Sequence, residues 1–428
     1  MSGILSTAIF AVCLFFIFTE KIHRTIVGIV GAVVMVGTGL ALGFYNEDLA
    51  VEAIDFETLG LLFGMMVLVA LLQPTGFFEY VAIQAGRLSQ GRPMHLLVLL
   101  GTITTILSMF LDNVTTVVLI APITLLICEI LSLTPIPFLI AEALLSNTGG
   151  VGTLVGDPPN VLIGSAVPFT FNDFLVHALP VVIITWLAAL ALLIWLFRND
   201  LHPTPEMTRR VKQLDPTKAL DHPQTARKIL IVLGVAILLF FVHHIFHIGP
   251  AFIALGGAAA ALLWVRPEDV GRILEHVEWS VLIFFASLFV MIGGMEAAGV
   301  LEEVAQVVAR ISHISPVILG VIMIWVVAGL SAIVDNIPIT IALIPVLQGM
   351  GEAGINVHPL WWALVFGAGF GGNGTIIGAT ANVVVVSLSE KTPTPITAAM
   401  WAQRGLPVML VACTVSSIAY AVLFPLFR

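Results

Sequence analysis

The sequence predicts an all-α polytopic membrane protein built from two related halves. Of its 428 residues, 59% are hydrophobic and only 10% are charged, whereas about 25% are charged in an average soluble domain. Uninterrupted apolar runs recur along the chain at lengths that suit one bilayer crossing, which takes about 20 residues. In addition, two short polar phrases each occur twice, once in each half. These observations argue against a soluble domain and predict repeated membrane crossings.

The apolar runs give the membrane segments in chain order. The first run follows no charged leader with a cleavage site, so we expect it to stay in the protein as a span. Two of the runs are too long for one straight crossing, and the others each fit one. The predicted segments are 4–19, 25–44, 58–73, 138–166, 174–197, 229–247, 250–265, 280–297, 359–388 and 405–427.

An Asp-Asn pair lies inside each of two further apolar stretches, 95–132 and 315–349. The first pair is Asp112-Asn113 and the second is Asp335-Asn336, at a spacing of 223 residues (335 − 112). A polar pair at such a place marks either the loop between two full crossings or the tip of a re-entrant hairpin at mid-membrane. Loop charges do not separate these structures, because either one returns the chain to the side it left.

A glycine-rich phrase interrupts each of the two long runs, 138–166 and 359–388. Gly152-Thr153 has its counterpart in Gly374-Thr375, at a spacing of 222 residues (374 − 152), and Pro158-Pro159 follows the first phrase. Each glycine costs a helix interior about 1 kcal/mol relative to alanine, and proline stops a helix locally. The alternative is close packing of helices through small residues. Because Asp, Asn and Thr recur at matched positions, we favour helices that are broken in mid-membrane.

The basic residues predict the orientation of the chain. If residue 1 starts outside the cell, the inner loops hold all but two of the 17 lysines and arginines, the exceptions being Arg310 and Arg428. Cytoplasmic loops carry such an excess of positive charge. We therefore expect a protein of the cell membrane with both termini on the extracytoplasmic side. The polar stretch 198–228, which contains prolines and many basic residues, predicts a solvated cytoplasmic linker.

This linker separates two repeats, residues 1–197 and 229–428. Each repeat has five predicted transmembrane helices, one of them unwound mid-membrane, and one hairpin stretch. Because five is odd, the second repeat enters the membrane from the opposite side, which predicts an inverted repeat. Such repeats are typical of secondary transporters, whose site lies near mid-membrane where the halves meet. A channel on the same scaffold is the alternative.

Polar residues of the two phrases are the candidate site residues. An ionisable group at membrane depth is costly and often functional, so Asp112, Asp335 and Asp157 are expected to handle protons or cations. Helix capping is the alternative role for Asp112 and Asp335. Amides, hydroxyls and glycine backbone groups are the expected substrate contacts. They are Asn113, Thr115, Thr116, Asn147, Thr148, Gly152, Thr153, Asn160, Asn336, Asn373, Gly374, Thr375, Thr380 and Asn382.

Two positions break the symmetry of these candidates. Asp157 matches Ala379 in the second repeat, and Thr115 matches Pro338. If the site selects or couples asymmetrically, we expect these positions to be involved. No phrase has the spacing of a nucleophile and its base or of metal ligands, and no Walker motif GxxxxGKS/T occurs. We therefore expect neither an enzyme nor ATP-hydrolysing machinery in this chain.

The phrases resemble those of the ion transporter superfamily. LDNVTT, DNIPIT, NTGGVGTLVGDPPNV and GGNGTIIGATANVVV are similar to the ArsB/NhaD type of permease and to the related melanosomal P protein. The resemblance covers essentially the whole chain. It implies re-entrant hairpins and unwound helices in an inverted repeat, a homodimer, and room for a soluble ATPase subunit as a further partner. Dicarboxylate transporters of the superfamily have Ser-Asn-Thr at the hairpin tips, where this chain has Asp112-Asn113-Val114 and Asp335-Asn336-Ile337.

Three functions are compatible with the resemblance. The first is proton-coupled efflux of arsenite or antimonite, whose neutral trihydroxide suits a site of amides, hydroxyls and carboxylates. The second is sodium–proton antiport, in which an aspartate binds Na⁺ as it releases H⁺. The third is an anion transporter or channel like the P protein. We expect the first, with a small inorganic substrate, the proton gradient or possibly a Na⁺ gradient as energy source, and no cofactor or nucleic acid.

Overall fold

The computed structural model describes residues 2–19, 22–167, 169–203, 205–211, 215–246, 248–300 and 315–427. Helices and turns make up this part of the chain, without a strand, which confirms the all-α prediction. Arg310 and Arg428 lie outside the described residues. Seven of the described helices are long and apolar enough to span a membrane: Arg24–Leu42, Phe56–Thr75, Asn113–Leu131, Phe171–Phe197, Pro223–Val242, Trp279–Ala297 and Ala398–Val422.

The first half starts with scaffold helices and continues into a hairpin and a broken helix. The scaffold helices are α1 (Ser2–Thr19), α2 (Arg24–Leu42), α3 (Glu47–Glu52), α4 (Phe56–Leu72) and α5 (Phe77–Leu88). The first hairpin consists of α6 (Pro93–Ser108) and α7 (Asn113–Leu131). The first broken helix consists of α8 (Ile136–Gly150) and α9 (Pro158–Ala166), and α10 (Phe171–Phe197) ends the half.

The second half has the same order of elements after the linker helix α11 (Pro205–Val211). Its scaffold helices are α12 (Pro223–Phe246), α13 (Pro250–Val265), α14 (Val270–Glu275) and α15 (Trp279–Ala297). The second hairpin consists of α16 (Pro316–Ser331) and α17 (Asn336–Glu352). The second broken helix consists of α18 (His358–Gly371) and α19 (Thr380–Ser389), and α20 (Ala398–Val422) follows.

Hairpins and broken helices pack against one another within and between the halves. Within each half, the first hairpin arm lies against the first half-helix: α6 against α8, and α16 against α18. Between the halves, the second hairpin arm lies against the second half-helix of the other half: α7 against α19, and α17 against α9. This reciprocal packing between the halves is compatible with an inverted repeat. It brings both hairpin tips and both breaks together.

The linker contains a short helix that contacts the first hairpin. Helix α12 begins at Pro223 rather than at residue 229, because proline suits the first turn of a helix. Arg210 in α11 donates to the carbonyl of Ile130 (3.1 Å) and to the hydroxyl of Ser132 (2.6 Å). These groups end α7, whose last carbonyls have no partner within the helix. The linker therefore docks on the hairpin end at which α7 stops. The predicted orientation would place this end at the cytoplasmic side.

Candidate functional site

Both hairpin tips carry an aspartate at the N-cap of the following helix. The Asp112 carboxylate accepts from the backbone N–H of Thr115 at 2.8 Å, and the Asp335 carboxylate accepts from that of Ile337 at 3.3 Å. The backbone at Asp112 has φ +49°, whereas Asp335 has φ −40°. A positive φ is strained for an aspartate and is typical of functional sites. The two tips are therefore related in sequence but differ in backbone conformation.

An asparagine spans each helix break. The side-chain amide of Asn160 donates to the carbonyls of Gly150 (3.0 Å) and Thr153 (2.8 Å). In the second half, Asn382 donates to the carbonyls of Gly372 (2.7 Å) and Thr375 (2.9 Å). Carbonyls at the end of a half-helix have no intrahelical partner. The matched asparagines satisfy these carbonyls and stabilise each break.

Glycine is required at the breaks because the backbone closes on itself there. A Cβ built on Gly150 would lie 2.6 Å from the carbonyl oxygen of Gly156, and one on Gly372 would lie 2.9 Å from that of Gly378. Both separations are too short for a real side chain and a fixed backbone oxygen. The glycine-rich phrases thus permit a tight backbone crossing, in addition to interrupting the helix.

Hydroxyl groups attach each hairpin tip to the break of its own half. Ser108 donates to the carbonyl of Ser146 at 2.7 Å, and Ser331 donates to that of Ala368 at 2.8 Å. Thr153 donates to the carbonyl of Met109, and its counterpart Thr375 donates to the carbonyl of Ala332. Each tip and its neighbouring break are therefore held together as one unit.

A buried amide network joins the two halves. Asn147 donates to the side-chain oxygens of Asn373 (3.0 Å) and Asn382 (2.9 Å), and it accepts from Asn113 at 3.0 Å. Asn373 in turn donates to the hydroxyl of Thr148 at 3.3 Å. All five side chains are buried. Buried polar groups need such partners, so this network fixes how the halves meet.

A cavity of about 140 Å³ lies beside this network, between the two hairpin tips. Four elements of the phrases form its polar wall: the first tip, the end of the first break, the start of α17 and the start of α19. Scaffold helices α4 and α15 form an apolar wall opposite. Its polar and charged lining residues are Arg24, Gln73, Asp112, Asn113, Thr115, Asp157, His276, Glu278, Asn336 and Thr380.

Acidic groups outnumber basic ones around this cavity. Asp157 is buried, and the side-chain nitrogen of Asn336 donates to its carboxylate, lying 3.0 and 3.1 Å from the two oxygens. Glu278 accepts from the hydroxyl of Thr115 at 3.2 Å. On the other side, Arg24 lies 3.9 Å from the carboxylate of Asp335. The arrangement can bind a proton or cation and offers amides and hydroxyls to a polar solute.

The predicted site residues fall into two groups. Asp112, Asn113, Thr115, Asp157, Asn336 and Thr380 line the cavity. Asp335 lies behind Thr380, whose hydroxyl donates to it at 2.7 Å. The rest do not line this cavity. Thr116 lies in hairpin arm α7, and the others belong to the amide network or the breaks: Asn147, Thr148, Gly152, Thr153, Asn160, Asn373, Gly374, Thr375 and Asn382. Thr116 is buried, and its hydroxyl has no hydrogen-bond partner in the described part of the chain.

Arg24 and Glu278 are cavity residues that the sequence analysis did not identify. Both lie at the start of a scaffold helix, outside the repeated phrases. The repeat spacing gives a signal for Glu278 in the sequence. It lies 223 residues after Asp55 (278 − 55), which is also the spacing of the two hairpin aspartates. Asp55 serves as the N-cap of α4, whereas Glu278 makes no cap hydrogen bond and faces the cavity.

The fold and site define the class of protein. Apolar spans surround two broken helices and two hairpins, and a polar cavity lies between the two hairpin tips. Discontinuous helices around a central site are typical of secondary transporters. No group of three or more potential metal-ligating residues occurs among the residues described.

The comparisons identify the family. The family model described as citrate transporter (CitMHS) matches residues 14–367, and the chain belongs to this family of secondary transporters. It is 36% identical to an uncharacterized transporter of Mycobacterium tuberculosis, over 97% of both chains. It is also 36% identical to a 46 kDa membrane protein of Mycobacterium leprae, again over 97% of both chains. The more specific ArsB/NhaD type stays a prediction.

Two further likenesses concern a longer relative and a solved fold. The chain is 33% identical to the human P protein over 96% of its own length, which is 59% of the P protein. The YdaH transporter of Alcanivorax borkumensis, whose crystal structure shows an unusual topology, has a TM-score of 0.65 at 16% identity. That match covers 95% of this chain and 100% of the solved one. At this identity the likeness concerns the fold alone.

Proposed function

We propose that this protein is a proton-coupled secondary transporter whose substrate is neutral or positively charged as a whole. The observation that carries the proposal is the charge of the cavity. Asp112, Asp157 and Glu278 face it, against the single guanidinium of Arg24. A free polyvalent anion is repelled by such a surface, whereas a proton, a metal cation or a neutral hydroxylated solute is not.

Arsenite or antimonite is the first candidate substrate. Its neutral trihydroxide both donates and accepts hydrogen bonds, as do the amides of Asn113 and Asn336 and the hydroxyls of Thr115 and Thr380. Arg24, whose guanidinium lines the cavity, begins a helix at its predicted cytoplasmic end. In that orientation the cavity is near the cytoplasm, where a substrate for efflux would enter. Protons would then move inward as the substrate moves out.

Citrate is the second candidate, favoured by the description of the family and by Arg24. A guanidinium binds a carboxylate through two parallel hydrogen bonds. The three cavity carboxylates would, however, repel a free citrate trianion. Citrate transport by this cavity would therefore require bound protons or a bound metal cation, which lower the net charge of the substrate.

The decisive experiment uses purified protein in liposomes with a pH-sensitive dye inside. Arsenite, citrate with and without Mg²⁺, and Na⁺ are added in turn, and protein-free liposomes are the control. Arsenite-driven proton movement that does not need Na⁺ supports the first candidate, and movement driven by citrate supports the second. Proton flux driven by Na⁺ alone supports sodium–proton antiport instead. Anion currents without any coupled proton movement would contradict the proposal.

We also propose the membrane location, the orientation and the oligomeric state of this protein. The protein is expected in the cell membrane with both termini outside, as the positions of its basic residues indicate. Like many transporters with inverted repeats, it is expected to form a homodimer. Protease accessibility of tags placed at the two termini of the protein in intact cells tests the orientation.

A further inference from the structure

The two hairpin tips differ in how their aspartates are neutralised. We propose that Arg24 is a tethered counter-ion that permanently neutralises Asp335, so that the coupling proton or cation is exchanged at the first tip and its neighbouring carboxylates and not at Asp335. This inference rests on the cation or proton coupling proposed above. It predicts that the carboxylate of the second tip keeps its paired cation, whereas the first tip binds and releases a proton or cation.

Asp335 has a complete set of partners within the protein. Its side chain is 9% exposed, and it accepts from the hydroxyl of Thr380 at 2.7 Å and from the backbone N–H of Ile337 at 3.3 Å. The Arg24 guanidinium lies 3.9 Å from the same oxygen that Thr380 contacts. A buried carboxylate with a cation and two donors needs no further positive charge.

Other contacts hold Arg24 in place. Its guanidinium lies over the ring of Phe284, 5.8 Å from the centroid. The adjacent Thr25 donates to the carbonyl of Ser280 at 2.9 Å, which fixes the start of α2 against α15. A cation in the first turn of a helix is disfavoured by the helix dipole. Pairing with Asp335 offsets that cost and gives a reason for arginine at this position.

The first tip has the opposite balance of charge. The Asp112 carboxylate accepts a backbone N–H, and it forms no ion pair within the described ranges of the chain. Its neighbour Thr115 donates to a second carboxylate, that of Glu278. Two carboxylates, Asp112 of the tip and Glu278 of α15, therefore lie around Thr115 without a paired cation in the described part of the chain, whereas the second tip has one carboxylate and one cation.

The charges facing the cavity decide where exchange occurs. Besides Asp112 and Glu278, the buried Asp157 and the exposed His276 line it. Asp157 is already bonded to the amide of Asn336, which carries no charge. A carboxylate at membrane depth without a cation must bind one or take up a proton. Arg24 meets that requirement at Asp335. It is left open at the first tip and at Asp157, in the break attached to that tip.

Infrared difference spectroscopy tests the inference on purified protein in liposomes, without any substrate. A protonated carboxyl has its own carbonyl band, which appears as pH is lowered. Asp335→Asn should leave the wild-type band unchanged, because Arg24 already neutralises the Asp335 carboxylate. Arg24→Gln should add intensity, and adding Asp335→Asn to that variant should remove it again. Arg24→Lys keeps the charge and should match the wild type.

Three results would overturn the inference. One is a weaker carbonyl band in Asp335→Asn, which would give Asp335 an exchangeable proton despite Arg24. Another is an unchanged band in Arg24→Gln. If Arg24→Gln does not fold, the Arg24→Gln/Asp335→Asn double variant decides. Recovery of folded protein supports mutual neutralisation of Arg24 and Asp335, and failure to recover it contradicts the inference. These spectra do not depend on transport, so a failure of proton-coupled transport would be recognised separately in the liposome flux assay.

Discussion

Asn147 in the first broken helix donates a hydrogen bond to the side-chain oxygen of Asn373 in the second, at 3.0 Å. Both side chains are buried. The contact joins the two breaks directly, although the residues are far apart in the chain. Because Asn147 also accepts from Asn113 of the first hairpin tip, one side chain connects both halves to the cavity wall.

Replacing Asn147 by alanine should destabilise the protein. The change removes one side chain but leaves polar atoms of Asn113, Asn373 and Asn382 buried without their partner. Each such orphaned group costs about 1–3 kcal/mol. We expect a clear fall in the Tm of the detergent-purified protein. Thr104→Val is the matched control, since the buried hydroxyl of Thr104 has no partner in the described part of the chain. An equal fall in Tm for both variants would contradict the role of the network.

Asp112→Asn should abolish proton coupling without unfolding the protein. Asparagine caps a helix as well as aspartate does, and it adopts a positive φ about as readily as aspartate, so the substitution adds no backbone strain. The substitution therefore preserves the hairpin tip and removes only the ionisable group. Proton flux per transported substrate in liposomes is the measurement, and the Tm verifies folding. Unaltered coupling in Asp112→Asn would reduce this residue to a helix cap.

Glu278→Gln and Asp55→Asn should have different effects, although the two positions are related by the repeat spacing. Glu278 faces the cavity, and glutamine keeps an acceptor for the Thr115 hydroxyl while losing the charge. We expect a shifted pH dependence of transport at unchanged Tm. Asp55 caps α4 through the N–H groups of Glu57 and Thr58, and asparagine preserves this cap. Asp55→Asn should therefore leave the pH profile unaltered. The same profile shift in both variants would argue against a specific role for Glu278.

Gly150→Ala should prevent the first break from forming its native backbone. Its Cβ would lie 2.6 Å from the carbonyl oxygen of Gly156, so the backbone would have to move. We expect loss of folded protein or of transport. Gly234→Ala is the control, because a Cβ there meets no atom within 4 Å in the middle of α12. Alanine is also preferred over glycine inside a helix by about 1 kcal/mol. Normal transport by Gly150→Ala would show that the break tolerates a side chain.

Helix interruptions can be predicted from the sequence because local chemistry determines them. Proline and glycine interrupt a helix wherever they occur, so residues such as Gly152 and Pro158 mark a break without knowledge of the fold. The symmetry-breaking positions were also informative. Asp157 accepts from Asn336 across the halves, and Thr115 donates to Glu278.

The division of the candidates between cavity and network could not be predicted in this way. Asn113 and Asn147 have the same chemistry in equally apolar surroundings, and only the packing of α7 on α8 places one on the cavity wall and the other beneath it. From the sequence alone, Arg24 is one of the basic loop residues that predict the orientation of the chain. Its contact with Asp335 depends on the packing of distant segments, which no local pattern in the sequence reports.

We propose that the cavity between the hairpin tips is the substrate site. Cryo-electron microscopy of the protein in lipid nanodiscs, with whichever of arsenite or citrate drives proton flux, tests it most directly. We expect added density in contact with Asn113, Asn336 and Thr380, and its loss in Asn336→Ala. Substrate density at another place, such as the separate cavity beside Ser165 and Glu296, with this one unchanged, would contradict the claim.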